Sequence, residues 1–213
     1  MTRKTNNLIY LMSGFMLILL SGLSGCAKKI PSVASNQSPP VSWQTKQKQL
    51  AALKTFEVTG KVGYTHENKG GSASIQWQQQ GDQYFIRLYG PLGSESVNIE
   101  GYPGQITLTR SNGYTASAKS PEALLHKELQ WQIPVSGLQH WLKGLPAPEK
   151  LDDKPTFDDQ NRLTALEQKG WKIKYLSYIN LGGIDMPEKI TLENGSTKLK
   201  FVFKQWDLGN AFQ

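Results

Sequence analysis

Phe56-Glu57-Val58-Thr59-Gly60-Lys61-Val62-Gly63-Tyr64-Thr65 sets apolar or small residues at every second position against charged and hydroxyl-bearing ones. Successive side chains of a strand point to opposite faces, so a period of two predicts a strand with one dry and one wet face. The pattern returns downstream. Ala73, Ile75 and Trp77 alternate with Ser72, Ser74, Gln76 and Gln78, and Tyr84-Ile86-Leu88, Val97-Ile99, Ile106-Leu108, Trp171-Ile173-Tyr175, Ile190-Leu192 and Leu199-Phe201-Phe203 repeat it. Turn signals separate these runs at Asn68 to Gly71, Gly81-Asp82, Gly90 to Gly93, Pro103-Gly104, Asn112-Gly113 and Asn194-Gly195. Together they predict a largely antiparallel meander of about nine to eleven strands.

Three short segments break the period. Ser42 to Leu53 brings Trp43, Gln47, Leu50 and Leu53 near one side behind a capping serine, which predicts a helix. Ser120-Pro121-Glu122 is a cap followed by proline in the first turn and opens a second helix running to about Gln130. Val135 to Lys143 reads as a third, stopped by Gly144 and Pro146, with Trp141 and Leu142 facing inward. Pro148 to Gln160 reads as an acidic, proline-containing loop.

So little helix cannot cover the apolar face of some ten strands, and the sheet has to curl on itself with the helices filling or roofing its interior. The fold class is mainly β, in the α+β sense. The inward set includes Val58, Val62, Ile75, Trp77, Ile86, Leu88, Ile99, Trp141, Ile173, Tyr175, Phe201 and Phe203. Whether these pack a dry core or line a space is open on the pattern alone, because any β-barrel shows one apolar face per strand.

The first 40 residues are of another kind. Arg3 and Lys4 precede an apolar run from Leu8 to Leu20, and Leu23-Ser24-Gly25-Cys26 follows, the small-residue run a lipoprotein signal peptidase cuts before a cysteine that becomes acylated. The apolar run is shorter than the about 20 residues a membrane span needs. The expected organisation is a signal peptide at 1–25, a lipidated tether at 26–41 and one domain at 42–213. Ala27 after the cysteine reads as an outer-membrane address, the usual retention residue for the inner membrane being aspartate. Cys26 is the only cysteine, so no disulfide or thiolate metal site is available. The tether, rich in Ser, Pro, Asn, Gln and Lys, reaches on the order of 20 Å as a flexible chain.

Chemistry-bearing motifs are missing. The sequence has no Gly-x-Ser-x-Gly elbow and no Walker loop. His66, His126 and His140 stand at no metal-ligand spacing, and Asp152, Asp153, Asp158 and Asp159 lack the order of a calcium loop. No enzyme, no metal and no cofactor are expected. Of the 24 basic residues the signal segment holds two and of the 17 acidic ones none, which leaves the mature chain at +5, a balance that fits an acidic protein partner or anionic headgroups and equally, with the lysines spread singly, a solvated mixed surface. No basic cluster alternates with aromatics, so nucleic acid is not an expected partner.

Two local features stand out: the turn Gly90-Pro91-Leu92-Gly93, with an apolar leucine at its tip, and Trp141-Leu142-Lys143-Gly144-Leu145-Pro146. The order of lipobox, tether, short helix, strands, Pro-Leu-Gly hairpin followed by Ser94, Pro103-Gly104 turn, Trp-Leu-x-Gly-Leu-Pro helix end, Asp159-Gln160-Asn161-Arg162-Leu163 and the Trp171-Lys172-Ile173 strand resembles the outer-membrane lipoprotein receptor family LolB. The resemblance spans nearly all of the mature chain. It implies an incomplete β-barrel with a helical lid and an apolar cavity. It also implies a receptor that takes acylated lipoproteins from the soluble periplasmic carrier LolA and places them in the outer membrane. On that reading the twelve inward residues line the cavity, Gly90 to Gly93 is a membrane-insertion loop, and the partners are LolA, lipoprotein cargo and outer-membrane lipid, with the receptor a monomer. A non-transporting structural lipoprotein of an envelope assembly is the alternative.

Overall fold

The structure is a computed structural model and describes residues 41–67, 69–90, 95–148 and 153–209. Cys26, Pro91, Leu92, Gly93 and Asp152 lie outside the described residues.

The chain runs α1 (Trp43–Ala52), β1 (Thr55–His66), β2 (Lys69–Gln80), β3 (Gln83–Tyr89), β4 (Ser96–Tyr102), β5 (Gln105–Arg110), β6 (Thr115–Ala118), α2 (Pro121–Leu129), α3 (Val135–Trp141), β7 (Lys154–Phe157), β8 (Leu163–Gln168), β9 (Trp171–Leu181), β10 (Ile184–Asn194) and β11 (Thr197–Asp207). All eleven strands belong to one antiparallel sheet in the order β6-β5-β4-β3-β2-β1-β11-β10-β9-β8-β7. Two meanders are therefore sewn together where β1 pairs with β11. The sheet is open, with β6 and β7 as its edges, and the connection from one edge to the other carries α2 and α3. An open antiparallel sheet of eleven strands with a few short helices agrees with the strand number that alternation predicts and with the incomplete barrel that the resemblance implies.

Alternation holds where it was legible. Phe56, Val58, Gly60, Val62 and Tyr64 of β1 are all buried, and Ile75 and Trp77, Ile86 and Leu88, and Phe201 and Phe203 follow suit on β2, β3 and β11. They form one apolar core with Leu50 of α1, Leu124 and Leu125 of α2 and Leu138 of α3. Gly60 is required at its place. The β1–β11 register shifts there, and a Cβ on residue 60 would collide with the backbone of Val202. The same bulge gives β11 two successive exposed residues, Lys204 and Gln205, and turns Trp206 inward.

The helix caps are as expected: Ser42 and Ser120 accept from Thr45 N and Ala123 N, each at 3.3 Å. Gln130, at φ 57°, ends α2 in the left-handed conformation. Helix α3 is shorter than its sequence suggests, ending at Trp141 rather than Lys143.

Three strands are not foreshadowed by alternation. β7 lies inside what reads as the loop from Pro148 to Gln160; all four of its residues are exposed, so it has no dry face to announce it. β6 is Thr-Ala-Ser-Ala, too small to show a period. In β8 the buried Leu163 and Leu166 are three apart, a spacing that imitates a helix. β9 and β10 also run longer than the apolar runs within them, joined by Gly182 and Gly183, which both hold positive φ in a two-residue turn.

Candidate functional site

Between the inner face of β1–β4 and the α2–α3 segment lies a pocket whose lining is apolar throughout. Val62, Ile75, Trp77, Ile86, Leu88, Ile99 and Phe201 form its wall; Leu125, Trp131, Ile133, Val135 and Leu138 form its roof. Its volume is about 30 Å³, the size of a water molecule. In the arrangement seen, roof and wall are nearly in contact.

Each part of the lining follows from local structure. The wall residues are the inward members of four alternating strands and of β11. The Trp77 indole N–H, which would otherwise be stranded in this apolar setting, donates to Gln79 Oε1 at 2.9 Å, and the Gln79 amide donates to Gly81 O at 2.7 Å. The roof is shaped by the end of α2. After Gln130 the chain turns, Trp131 stacks on Tyr64 at 5.1 Å between ring centroids, and the Tyr64 hydroxyl donates to Gln130 O at 3.4 Å. Helices α2 and α3 are braced by the Glu122 carboxylate, which accepts from Ser136 N at 2.9 Å. Burial, with the nearby Glu122 carboxylate, pushes the Tyr84 hydroxyl up to about 12, so it stays neutral beside the wall.

Seven of the twelve residues singled out in the sequence stand around this pocket: Val62, Ile75, Trp77, Ile86, Leu88, Ile99 and Phe201. The other five are buried elsewhere. Val58 and Phe203 lie nearer the β1–β11 bulge, where Phe203 packs on Trp206, and Trp141, Ile173 and Tyr175 fill the interior beneath β8–β10. Alternation finds a wall and cannot choose its useful stretch. The roof residues Trp131 and Ile133 went unnoticed because they lie in a segment without periodicity between two helices; an apolar pair in such a connection was the available signal. Gly90 is described, its N–H donating to Glu95 O at 2.9 Å across the hairpin base.

The interior beneath β8–β10 is organised by hydrogen bonds. Trp141 Nε1 donates to Gln168 Oε1 at 2.7 Å, and the same oxygen accepts from Ala147 N at 2.8 Å. Gln168 Nε2 donates to Ala147 O at 2.9 Å, and the Tyr175 hydroxyl to Trp141 O at 3.0 Å. Full burial drives the Tyr175 phenol well above its ordinary value, which keeps it a donor.

Beside this cluster Lys143 is a buried amine. Its Nζ donates to Leu53 O at 3.1 Å and stands 5.9 Å from the centroid of the Phe56 ring. Burial, with Lys54 adding repulsion, lowers its pKa to about 8. His140, half-buried, is lowered by burial and by Lys143, Lys169 and Lys54. Among the described residues no group of three His, Cys, Asp or Glu side chains could hold a metal ion, and no helix is long and apolar enough to cross a membrane.

An open antiparallel sheet curled around three short helices, with an apolar pocket under the helices, is the class of protein that the fold and the site define. Comparison with known proteins gives the particular family. The model of the family described as outer membrane lipoprotein LolB matches residues 54–206, and the chain belongs to it. Two relatives bearing the name outer-membrane lipoprotein LolB, from Pseudomonas syringae pv. syringae and Pseudomonas putida, are 36% and 38% identical over 191 residues, covering 90% of this chain and 92% of each relative. Among solved structures, a LolA superfamily protein from Nitrosomonas europaea covers 81% of this chain and 96% of its own at 11% identity and a TM-score of 0.47. The chain is an outer-membrane lipoprotein of the LolB family.

Proposed function

We propose that this protein receives acylated lipoproteins from the periplasmic carrier LolA, holds their acyl chains in the pocket between β1–β4 and α2–α3, and releases them into the outer membrane without nucleotide and without catalysis. The observation that carries the reading is the wholly apolar lining. An acyl chain of about a dozen CH2 groups is worth on the order of 10 kcal/mol to keep from water, so any hand-over across an aqueous space needs such a lining at both ends. With no energy source in the chain, transfer runs downhill, the receptor binding cargo better than the donor and the bilayer better still.

The pocket as it stands admits no acyl chain, so loading requires the roof to lift from the wall. Around the pocket roof and wall meet through apolar packing, which has no preferred orientation and can be remade around an acyl chain, while the rim bonds of Tyr64 to Gln130 O and Arg110 to Glu128 O have to be exchanged for bonds to water.

The rest of the machinery belongs to the same proposal. Cys26 carries the lipid, residues 26–41 are the tether, the domain from 42 acts as a monomer, and Leu92 at the tip of Gly90 to Gly93 engages the bilayer when cargo leaves.

The test is tryptophan quenching by a fluorescent fatty acid. Trp77 and Trp131 line the pocket, so the protein should take up the probe with quenching. Ile86→Glu, which sets an unpaired charge in the wall, should abolish uptake while circular dichroism stays native. No quenching by the unaltered protein would leave a dry core and favour the structural-subunit reading. A folded Ile86→Glu protein that binds normally would place the acyl site elsewhere.

A further inference from the structure

We propose that the corner of the domain from which the tether departs is a bilayer-contacting surface, with Leu176 and Ile179 on the outer face of β9 as its apolar contacts. Six large apolar side chains are markedly exposed among the described residues: Val41, Tyr102, Tyr114, Phe157, Leu176 and Ile179. Two are tyrosines, whose hydroxyls suit them to water. The other four have no polar atom: Val41 and Phe157 stand at the α1 and β7–β8 end of the sheet, and Leu176 and Ile179 stand on β9 beside it.

A chain of contacts links the two. Val41 is the first described residue, and its carbonyl accepts from Asn161 Nδ2 at 3.2 Å in the β7–β8 turn. Two residues on, the Trp43 ring packs against Phe157 at 4.9 Å. In the same turn the Arg162 guanidinium lies 5.0 Å from the centroid of the Tyr178 ring, and the Tyr178 hydroxyl donates to Leu163 O at 2.8 Å. Tyr178 is directed inward, so its neighbour Ile179 is directed outward. Leu176 follows the inward Tyr175 and is directed outward by alternation, and the irregularity in the β9–β10 pairing, where Lys189 opposes Ser177 and Ile190 opposes Tyr175, resets the alternation after it so that Tyr178 turns inward. It is 55% exposed and Ile179 40%. α1 is fastened here too, through Lys46 to Asp185, which also accepts from Asn180.

The occupant follows from the tether. This step rests on the reading of Cys26 as the lipid anchor. From Cys26 to Val41 is about 15 residues, with an r.m.s. reach on the order of 20 Å and about 45 Å when extended, so the corner where Val41 is fixed is held near the lipid surface. Exposed apolar side chains held at such a distance partition into the interface between headgroups and acyl chains. β9 and the hairpin between β3 and β4 belong to different meanders of the sheet, so this contact is separate from the one proposed for Leu92.

The experiment uses the full lipidated chain reconstituted into phospholipid vesicles. Acylated Cys26 leaves no free thiol, so Leu176→Cys takes an environment-sensitive fluorophore uniquely; Tyr102→Cys, exposed on β4 across the sheet, takes it as the reference. With spin-labelled lipid in the vesicles, the label at 176 should be quenched about twofold or more relative to that at 102 and shifted to the blue. Equal quenching at the two positions, or none at 176 in protein that floats with the vesicles, overturns the proposal. A blue shift that needs no vesicles and grows with protein concentration means a second copy covers the face, and also overturns it. Protein that fails to float overturns the anchor reading itself, and the proposal with it.

Discussion

The two halves of the interior are filled by similar residues and held by different forces. Beneath β8–β10, Trp141 is tied by its indole to Gln168 and by its carbonyl to Tyr175, and Gln168 grips Ala147 at both backbone groups. Beneath β1–β4, Trp77 satisfies its indole within its own strand through Gln79, and the roof over it rests on apolar contact, with its polar ties at the rim: the Tyr64 hydroxyl to Gln130 O and from Gln132 N, and Arg110 and Tyr114 to Glu128. Hydrogen bonds are directional and costly to leave unmade when buried, whereas apolar contacts can be exchanged for other apolar contacts. One half is a fixed jaw, and in the other the polar ties stand at the rim and leave only apolar groups around the pocket. The first three predictions test that division.

Trp141→Ala carries the largest expected effect. It empties a fully buried site and takes from Gln168 Oε1 one of its two donors, leaving Ala147 N, so denaturant unfolding should show a loss of about 3–5 kcal/mol. Gln168→Leu keeps the bulk but strands the Trp141 indole N–H and the Ala147 backbone groups, and should cost about 2–4 kcal/mol in the same measurement. On the other side, Trp131→Ala removes a half-buried ring and its stack, and should cost about 1 kcal/mol. It should also speed uptake of a fluorescent fatty acid in stopped flow, since the roof loses its rim contact. If Trp131→Ala proves as destabilising as Trp141→Ala, or slows uptake, the roof is no lighter than the jaw and the contrast fails.

The last expected effect, one of pH dependence, belongs to Lys143, on the fixed side. Its folded pKa of about 8 lies below the ordinary 10.5. Between those values the unfolded chain binds the extra proton, so stability rises with pH across that window, by about 2 kcal/mol between about pH 7 and 9.5. Lys143→Met should flatten the rise. The measurement stops short of pH 10, because Tyr175 and Tyr178, both raised by burial, ionise more readily when unfolded and withdraw stability above it. An identical pH profile for the variant would mean that Lys143 is better hydrated than its hydrogen bond to Leu53 O implies.

Much of this was legible from residue order, and the misses have physical causes. Phe56 to Thr65 announces a half-buried strand because burial on one face demands a period of two, and Ser120-Pro121-Glu122 announces a helix because its first amides need an acceptor. β7 was invisible because an edge strand exposed on both faces has no pattern to show, and β8 because a local irregularity set its buried leucines three apart. Among the site residues, Ile86 and Phe203 look alike in sequence, each an apolar residue in an alternating strand. Only the position of the roof makes one a pocket wall and the other a core residue near the bulge.

By itself the sequence determined the strand-rich class, the three helices and the inward set, since each depends on neighbours a few residues away. Tertiary structure alone decided which inward residues face a space, that Trp131 and Ile133 close it, that Lys143 is buried, and that Trp43 meets Phe157 at the start of α1. Those outcomes depend on residues such as Val41 and Asn161, 120 positions apart in the chain, arriving at the same corner, and no local period records such a meeting.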